Sequence, residues 1–135
     1  MTVYSFANAP EAGSMGVCGY VASGDEAQLA VDDQPAGPEL VVSRVAAPAS
    51  AWIVVHLNDD GMPGERVGLA RIAEGQATDV KVPLSEEATK SVIVAVHADR
   101  GTPDQFDFDM DNKTESPDRP LFVDGMELAD VVQLQ

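Results

Sequence analysis

The sequence predicts an all-β, immunoglobulin-like antiparallel β-sandwich of seven to eight strands, without a core disulfide. Short apolar runs recur at regular spacing, and Gly and Pro residues separate them, as is typical of small β domains. No window keeps apolar residues at helical spacing for long. The single cysteine, Cys18, cannot form an internal disulfide, so the fold must be held by its core.

The alternation of side chains assigns faces to the predicted strands. In the run Thr78–Leu84, valines alternate with Asp79 and Lys81, which indicates one buried and one solvated face. The run Ser91–Val96 is apolar at nearly every position, which predicts a central strand covered on both sides. The eight predicted strands are Ala27–Val31, Glu39–Ala46, Ala51–Leu57, Val67–Ile72, Thr78–Leu84, Lys90–Ala98, Gln105–Met110 and Met126–Leu134.

The only tryptophan lies on the third predicted strand. Trp52, Val54 and His56 share one face of that strand because they are two residues apart. Immunoglobulin-like sandwiches often keep a buried tryptophan at this place, so we expect Trp52 in the core between the sheets.

Residues 1–26 differ in composition from the rest of the chain. They are rich in small residues and contain Gly and Pro without a regular order. We therefore divide the chain into an N-terminal arm or added edge strand, residues 1–26, and a β-sandwich domain, residues 27–135.

The charge is strongly acidic and restricts the partners. The chain has 23 acidic and 8 basic residues, a net charge of −15, which repels nucleic acid and anionic lipid. Both a halophilic protein and an ordinary secreted acidic domain fit this composition. No run approaches the roughly 20 apolar residues of a membrane helix, so no membrane insertion is expected. The N-terminus does not read as a signal peptide, which leaves either a cytoplasmic protein or a targeting segment outside this sequence.

Two similar phrases contain the only histidines, VVHLNDDGMPGE at residues 54–65 and VAVHADRGTPDQ at residues 94–105. In each, a strand ends in a histidine and an acidic, glycine-containing turn follows. Neighbouring antiparallel strands would separate the two histidines by roughly 14–20 Å, too far for one metal ion. We therefore expect each histidine to organise its own turn, and the predicted loop-organising residues are His56, Asp59, Asp60, Gly61, His97 and Asp99.

Three alternating carboxylates follow the second histidine, at Asp107, Asp109 and Asp111. Their spacing is that of a calcium loop, with Asn112 at the position of the usual glycine and Asp118 at that of the terminal glutamate. On a strand, however, such carboxylates project along one face and do not surround an ion. The favoured interpretation is a solvated acidic edge without a cofactor, and calcium bound by the three aspartates is the alternative.

The sequence contains none of the common catalytic motifs. There is no nucleophile elbow, no His-Glu-x-x-His, no phosphate loop and no dinucleotide loop. The prediction is that the protein is not an enzyme.

A series of short motifs occurs in a fixed order between Asp33 and Gly101. They are Asp33-Gln34, Trp52 to His56, Asp60-Gly61, Pro63-Gly64, Gly68-Leu69-Ala70, Asp79 to Leu84 and His97 to Gly101. This order resembles an uncharacterised immunoglobulin-like domain family of haloarchaeal and bacterial surface and secreted proteins, over about residues 29–135. The segment 109–120 is longer and more acidic than that pattern. The resemblance implies the fold and an extracellular or envelope location, and it implies no activity.

The expected function is therefore that of a structural or adhesive module of the cell envelope or extracellular space. Protein partners or self-association through the N-terminal arm would serve that role. The alternative is a cation-binding module that uses the acidic loops for calcium or a transition metal.

Overall fold

The computed structural model describes residues 19–102, 104–109 and 116–135. Within these residues the chain forms ten strands and no helix. The strands are β1 (Tyr20–Val21), β2 (Gln28–Ala30), β3 (Glu39–Ala47), β4 (Ala51–Asp59), β5 (Met62–Ile72), β6 (Gly75–Pro83), β7 (Ser91–Ala98), β8 (Leu121–Val123), β9 (Met126–Glu127) and β10 (Ala129–Gln133).

Seven of these strands form two facing sheets. One sheet has the order β2-β3-β6 and the other has the order β10-β7-β4-β5, and all their pairs are antiparallel. The pairing of β3 with β6, and of β7 with both β4 and β10, gives the neighbours found in immunoglobulin-like sandwiches. The predicted all-β sandwich is confirmed.

The core lies between the two sheets and consists mainly of branched aliphatic side chains. Leu40 of β3, Ile53 of β4 and Val94 of β7 have no exposed surface. Each such side chain stabilises the fold by roughly 1.5–3 kcal/mol through removal of apolar surface from water. The other fully buried aliphatic residues of this core are Val42, Val45, Val55, Val82, Val92, Val96 and Val132.

The central strand β7 is buried on both faces, as its continuous apolar run predicts. Val92 and Val94 point into the core, while Ile93 and Ala95 point to the opposite side and are also buried. This second buried face is unusual for an antiparallel sheet, which commonly has one side in water. Another part of the chain must therefore cover it.

The edge strand β6 is interrupted at Asp79. Val80 pairs with Val42 and Thr78 pairs with Arg44, whereas Asp79 between them has a positive φ of 51° and no partner in the register. A left-handed, charged residue at a free edge disfavours pairing with another chain. The outer edge of β6 is therefore protected against pairing with another chain.

A small third sheet, β1-β8-β9, lies beside the sandwich. β1 runs parallel to β8, and Tyr20 pairs with Leu121 and Val21 with Phe122. At Gly19 a Cβ atom would lie within 3 Å of Pro120 and Phe122, so only glycine lets the chain approach this closely. Residues 19–21, which belong to the N-terminal region, are thus held against β8 of the domain.

Two strand predictions are wrong. Residues 105–109 form no strand, because Phe106 and Phe108 pack onto the large sheet while the main chain bonds to other parts of the loop. The predicted strand Met126–Leu134 is two strands in different sheets, separated at Leu128. The remaining predictions differ mainly at strand ends, since β5 begins at Met62 and not at Val67.

The prediction for the tryptophan is also wrong. Trp52 is buried, but it pairs with His97 and Arg71 on the face of β4 that points away from the core. The core positions of β4 are filled by Ala51, Ile53 and Val55. The alternation along β4 therefore predicts the shared face of Trp52 and His56 correctly, while the assumption about which face is the core fails.

Candidate functional site

The candidate site is the face of the four-stranded sheet that points away from the core, called here the outer face. Its buried residues include Trp52, Val54, His56, Ile93, Ala95, His97 and Ala129. Residues 104–109 and 116–120, called here the covering segment, lie against it, since Phe106 and Phe108 contact the ring of His97 and Pro120 forms a β-bridge with His97. Both phrases that contain a histidine thus contribute to one surface.

His97 lies at the centre of the contact between the outer face and the covering segment. Its Nδ1–H donates to the carbonyl oxygen of Asp118 at 2.7 Å, because a carbonyl can only accept. The rings of Phe106 and Phe108 meet it edge-on, with centroids 5.3 Å and 4.7 Å away. The pKa of His97 is lowered to about 4, mainly by burial, with a smaller lowering from the charge of His56, and the bond to Asp118 opposes this change. The imidazole is therefore neutral at pH 7.

His56 holds the hairpin between β4 and β5. Its Nδ1–H donates to the carbonyl oxygen of Gly64 at 2.7 Å. Burial lowers the pKa of His56, the positive charge of Arg66 lowers it further, and the bond to Gly64 opposes this change. His56 thus serves as a neutral hydrogen-bond donor to the returning strand.

The turn after His56 is a two-residue hairpin loop. Asp60 and Gly61 both have positive φ, 55° and 89°, and the flanking residues Asp59 and Met62 pair with each other. This is the geometry of a type I′ turn, for which Asp-Gly is a preferred sequence. The side-chain oxygen of Asn58 accepts the Gly61 N–H at 2.8 Å and closes the loop. Asp60 and Gly61 therefore determine turn geometry here, while Asp59 is an exposed strand end.

The two histidines lie on the same face but far apart along the strands. His97 is opposite Trp52 and His56 is opposite Ile93, which are four positions apart in the register. At about 3.4 Å per residue their backbones are roughly 14 Å apart. At this separation the two imidazoles, each held by its own hydrogen bond, cannot bind the same metal ion. Among the described residues, no three His, Cys, Asp or Glu side chains are grouped so that they could hold a metal ion.

Asp118 is the residue that anchors the covering segment, and sequence reasoning missed this role. It has no exposed surface. Its Oδ1 accepts the N–H groups of Arg100 at 2.7 Å and Gly101 at 2.9 Å, and its Oδ2 accepts the N–H of Asp107 at 2.7 Å. Three charge-assisted bonds to main-chain donors compensate for the loss of water around a buried carboxylate.

The other aspartates of the acidic run have separate local contacts. The Oδ2 of Asp107 accepts the Thr102 N–H at 2.8 Å, and the Asp109 N–H donates to the hydroxyl of Ser116 at 2.9 Å. Asp111 lies outside the described residues. Because residues 105–109 are not a strand, their carboxylates do not form the acidic strand face that was predicted.

Asp99 connects the outer face to β5. Its Oδ2 accepts from Nε of Arg71 at 2.9 Å, and the same Nε lies 3.3 Å from Oδ1 of the exposed Asp104. The guanidinium of Arg66 lies 5.3 Å from the centroid of Phe106, within the range of a cation–π contact. Two arginines of β5 thus hold the near end of the covering segment.

Tyr20 holds the far end of the covering segment. Its hydroxyl donates to the carbonyl oxygen of Pro117 at 2.8 Å and accepts from Arg119 at 3.1 Å. The guanidinium groups of Arg100 and Arg119 lie 4.3 Å and 4.7 Å from the centroid of its ring. The described part of the N-terminal region is therefore joined to the same segment that covers the outer face.

Together these contacts define an antiparallel β-sandwich whose large sheet is covered on its outer face by an acidic connection. The chain belongs to the family described as a domain of unknown function, DUF7282, whose model matches residues 27–135. No curated protein and no solved structure matches the chain. Within the described residues no helix is long and apolar enough to span a bilayer.

Proposed function

We propose that the domain is a non-enzymatic structural or adhesive module. The observation that carries this proposal is the use of polar side chains at the candidate site. His56, His97 and Asp118 each hydrogen-bond to main-chain groups of the same domain. Such bonds hold a loop in place, and they occupy Nδ1 of each imidazole and both carboxylate oxygens of Asp118.

We place this module outside the cytoplasm, in the cell envelope or the extracellular space. The resemblance to immunoglobulin-like domains of haloarchaeal and bacterial surface proteins supports this location. The net charge of −15 supports work in a salt-rich medium, because salt screens the repulsion among exposed carboxylates. The same charge argues against nucleic acid as a partner.

We propose that the module associates with copies of itself through its N-terminal arm, residues 1–26. The attachment of that arm supports this view. Tyr20 is joined by hydrogen bonds and cation–π contacts to Pro117, Arg100 and Arg119, so a force applied to the arm reaches the sandwich. An arm that connects two molecules must be held firmly to its own domain.

Sedimentation velocity over a range of protein concentrations, at high salt, tests the self-association. We expect the full chain to associate with concentration, and a variant that lacks residues 2–18 to remain monomeric. A full chain that stays monomeric at every concentration would contradict the proposal.

Cation binding by acidic loops is the alternative. The exposed Asp59, Asp60 and Asp109 are the residues that favour it. Titration calorimetry with Ca²⁺, Cu²⁺ and Zn²⁺ separates the two functions. A structural module should give no heat above the salt background. Binding that Asp109→Asn abolishes, and that the control Asp32→Asn leaves unchanged, would replace our proposal with the cation-binding one.

A further inference from the structure

A groove lies at the side of the sandwich, between β2 and the β8–β9 hairpin. It has a volume of about 410 Å³, and its charged lining residues are Arg44 and Asp124, which have opposite signs. Most of its lining is apolar, from Ala27, Leu29, Ala30, Val123, Met126 and Leu128. On a chain with a net charge of −15 this apolar, nearly neutral groove is a distinct surface.

The N-terminal residues of the sequence have a matching composition. Residues 1–18 contain one of the 23 acidic residues, Glu11, and none of the 8 basic ones. The remaining residues, 19–135, therefore carry 22 acidic and 8 basic side chains, a net charge of −14. The run Val3-Tyr4-Ser5-Phe6 offers three large apolar or aromatic side chains. Such a segment can approach an acidic molecule without charge repulsion and can bury its apolar groups there.

The path of β1 favours a groove on another molecule. Gly19 lies beside Pro120, and from there β1 runs along β8 towards Val123, which lines the groove. The chain therefore enters β1 from the end that points away from the groove of its own domain. A groove on a second molecule does not require the chain to turn back at Gly19. A segment of 18 residues can extend up to about 60 Å, which is enough to reach a neighbour.

The groove also offers main-chain groups. Among the described residues β2 pairs with β3 alone, so within them its other edge has no strand partner and suits the addition of an extended peptide. The opposite edge of that sheet, β6, is interrupted by the left-handed Asp79. The edge beside the groove is therefore the better one for strand addition.

We propose that the groove between β2 and the β8–β9 hairpin binds residues 1–18 of a second copy of this chain. This inference rests on the self-association proposed above and names the surface that receives the arm. Apolar side chains of residues 3–6 fill the apolar floor, and the extended arm pairs with the free edge of β2.

The experiment uses two complementary variants and a matched control. Met126→Glu places a carboxylate in the groove, and the variant without residues 2–18 has a groove and no arm. Met62→Glu makes the same change at a methionine that is 58% exposed, in the β4–β5 hairpin and outside the groove. Ala30→Glu repeats the groove change if Met126→Glu does not fold, and circular dichroism checks the fold of each variant.

We expect Met62→Glu to associate like the natural chain in sedimentation velocity. The dissociation constant of Met126→Glu should rise about 10-fold or more, as for a residue central to an interface. Met126→Glu mixed with the truncated variant should form a heterodimer, because one supplies the arm and the other the groove.

Three outcomes would overturn the inference in distinguishable ways. If truncation abolishes association while Met126→Glu and Ala30→Glu leave it intact, the arm binds elsewhere and only the groove assignment fails. If the mixture does not associate, arm and groove are not partners. If the full chain is monomeric yet truncation makes the groove more accessible to added peptide 1–18, the groove holds its own arm, and the proposed self-association fails as well.

Discussion

Asp118 shows how one side chain can hold a long connection in place. Its carboxylate accepts three main-chain N–H groups, and its own carbonyl accepts from His97. It therefore joins both parts of the covering segment to His97 of β7 and to Arg100 and Gly101, which follow that strand. Removing such an acceptor leaves three part-buried donors without this partner, which costs more than the bonds contribute on balance.

Replacing Asp118 by alanine should lower the free energy of unfolding by about 3 kcal/mol, because three part-buried N–H groups lose their acceptor and the buried side chain leaves a gap. Urea denaturation followed by tryptophan fluorescence measures this, since Trp52 lies on the face that the segment covers. Asp32→Asn, at an exposed aspartate, is the control and should change the free energy by less than about 0.5 kcal/mol. An equally small effect of Asp118→Ala would mean that the anchor is unimportant.

His97 should make the domain sensitive to acid. The pKa of His97 is lowered from 6.5 to about 4 by burial, so the unfolded chain takes up a proton at a higher pH than the folded one. Its contribution is complete above about pH 6.5, falls as the pH drops, and is fully lost below about pH 4, a change of about 3 kcal/mol.

Urea denaturation across this pH range, for the natural chain and for His97→Gln, tests the prediction. The natural chain should lose stability more steeply with falling pH, because glutamine takes up no proton. Parallel curves would show that His97 is accessible to protons in the folded state.

The covering segment is the element that sequence reasoning interpreted least well. Phe106 and Phe108 alternate with aspartates and so indicate correctly that one side is buried. Alternation reports burial only, however, and it does not say whether the main chain pairs with a strand. Here it bonds instead to Asp118 and Ser116, which come later in the chain. The role of Asp118 was unpredictable for the same reason, because its burial arises only when the segment folds over the sheet.

The strands, by contrast, could be predicted from local pattern. β3, β4, β6 and β7 were found within a few residues because each buries at least one regular face. The turn at Asp60-Gly61 was predictable because its backbone requires residues that tolerate positive φ. Which face of β4 lies in the core was not predictable, since both of its faces are apolar.

The covering segment packs directly against the main chain at Gly101. A Cβ atom there would lie closer to the Asp107 carboxylate than real contacts allow, and 2.7 Å from Cγ of Pro117. Gly101→Ala should therefore lower the free energy of unfolding by about 2 kcal/mol, since the segment must move to admit the methyl group. Thermal denaturation measures this. Gly37→Ala is the matched control, because nothing lies within 4 Å of its Cβ position. Equal melting temperatures for the two variants would show that the segment yields easily.

At the scale of the whole molecule, stability should depend on salt. The net charge of −15 is spread over a small domain, so repulsion among carboxylates opposes the compact state. We expect the urea midpoint to rise as NaCl is raised from about 0.05 M to about 1 M, where the screening length falls from above 10 Å to about 3 Å.

A triple variant tests whether screening is the cause. Asp32→Asn, Glu74→Gln and Glu86→Gln remove three exposed charges, and none of these residues takes part in the candidate site. The variant should be more stable than the natural chain at low salt and should gain less from added NaCl. If both proteins gain equally, salt acts through apolar burial and not through charge.

The bond between Tyr20 and Pro117 has a consequence for the order of folding. The two residues are 97 positions apart in the sequence. At a synthesis rate of about 5–20 residues per second, Pro117 is synthesised roughly 5–20 s after Tyr20. The strand β1 is therefore among the last of the described strands to be completed. A growing chain therefore cannot fix β1 in place until its own sandwich is nearly whole.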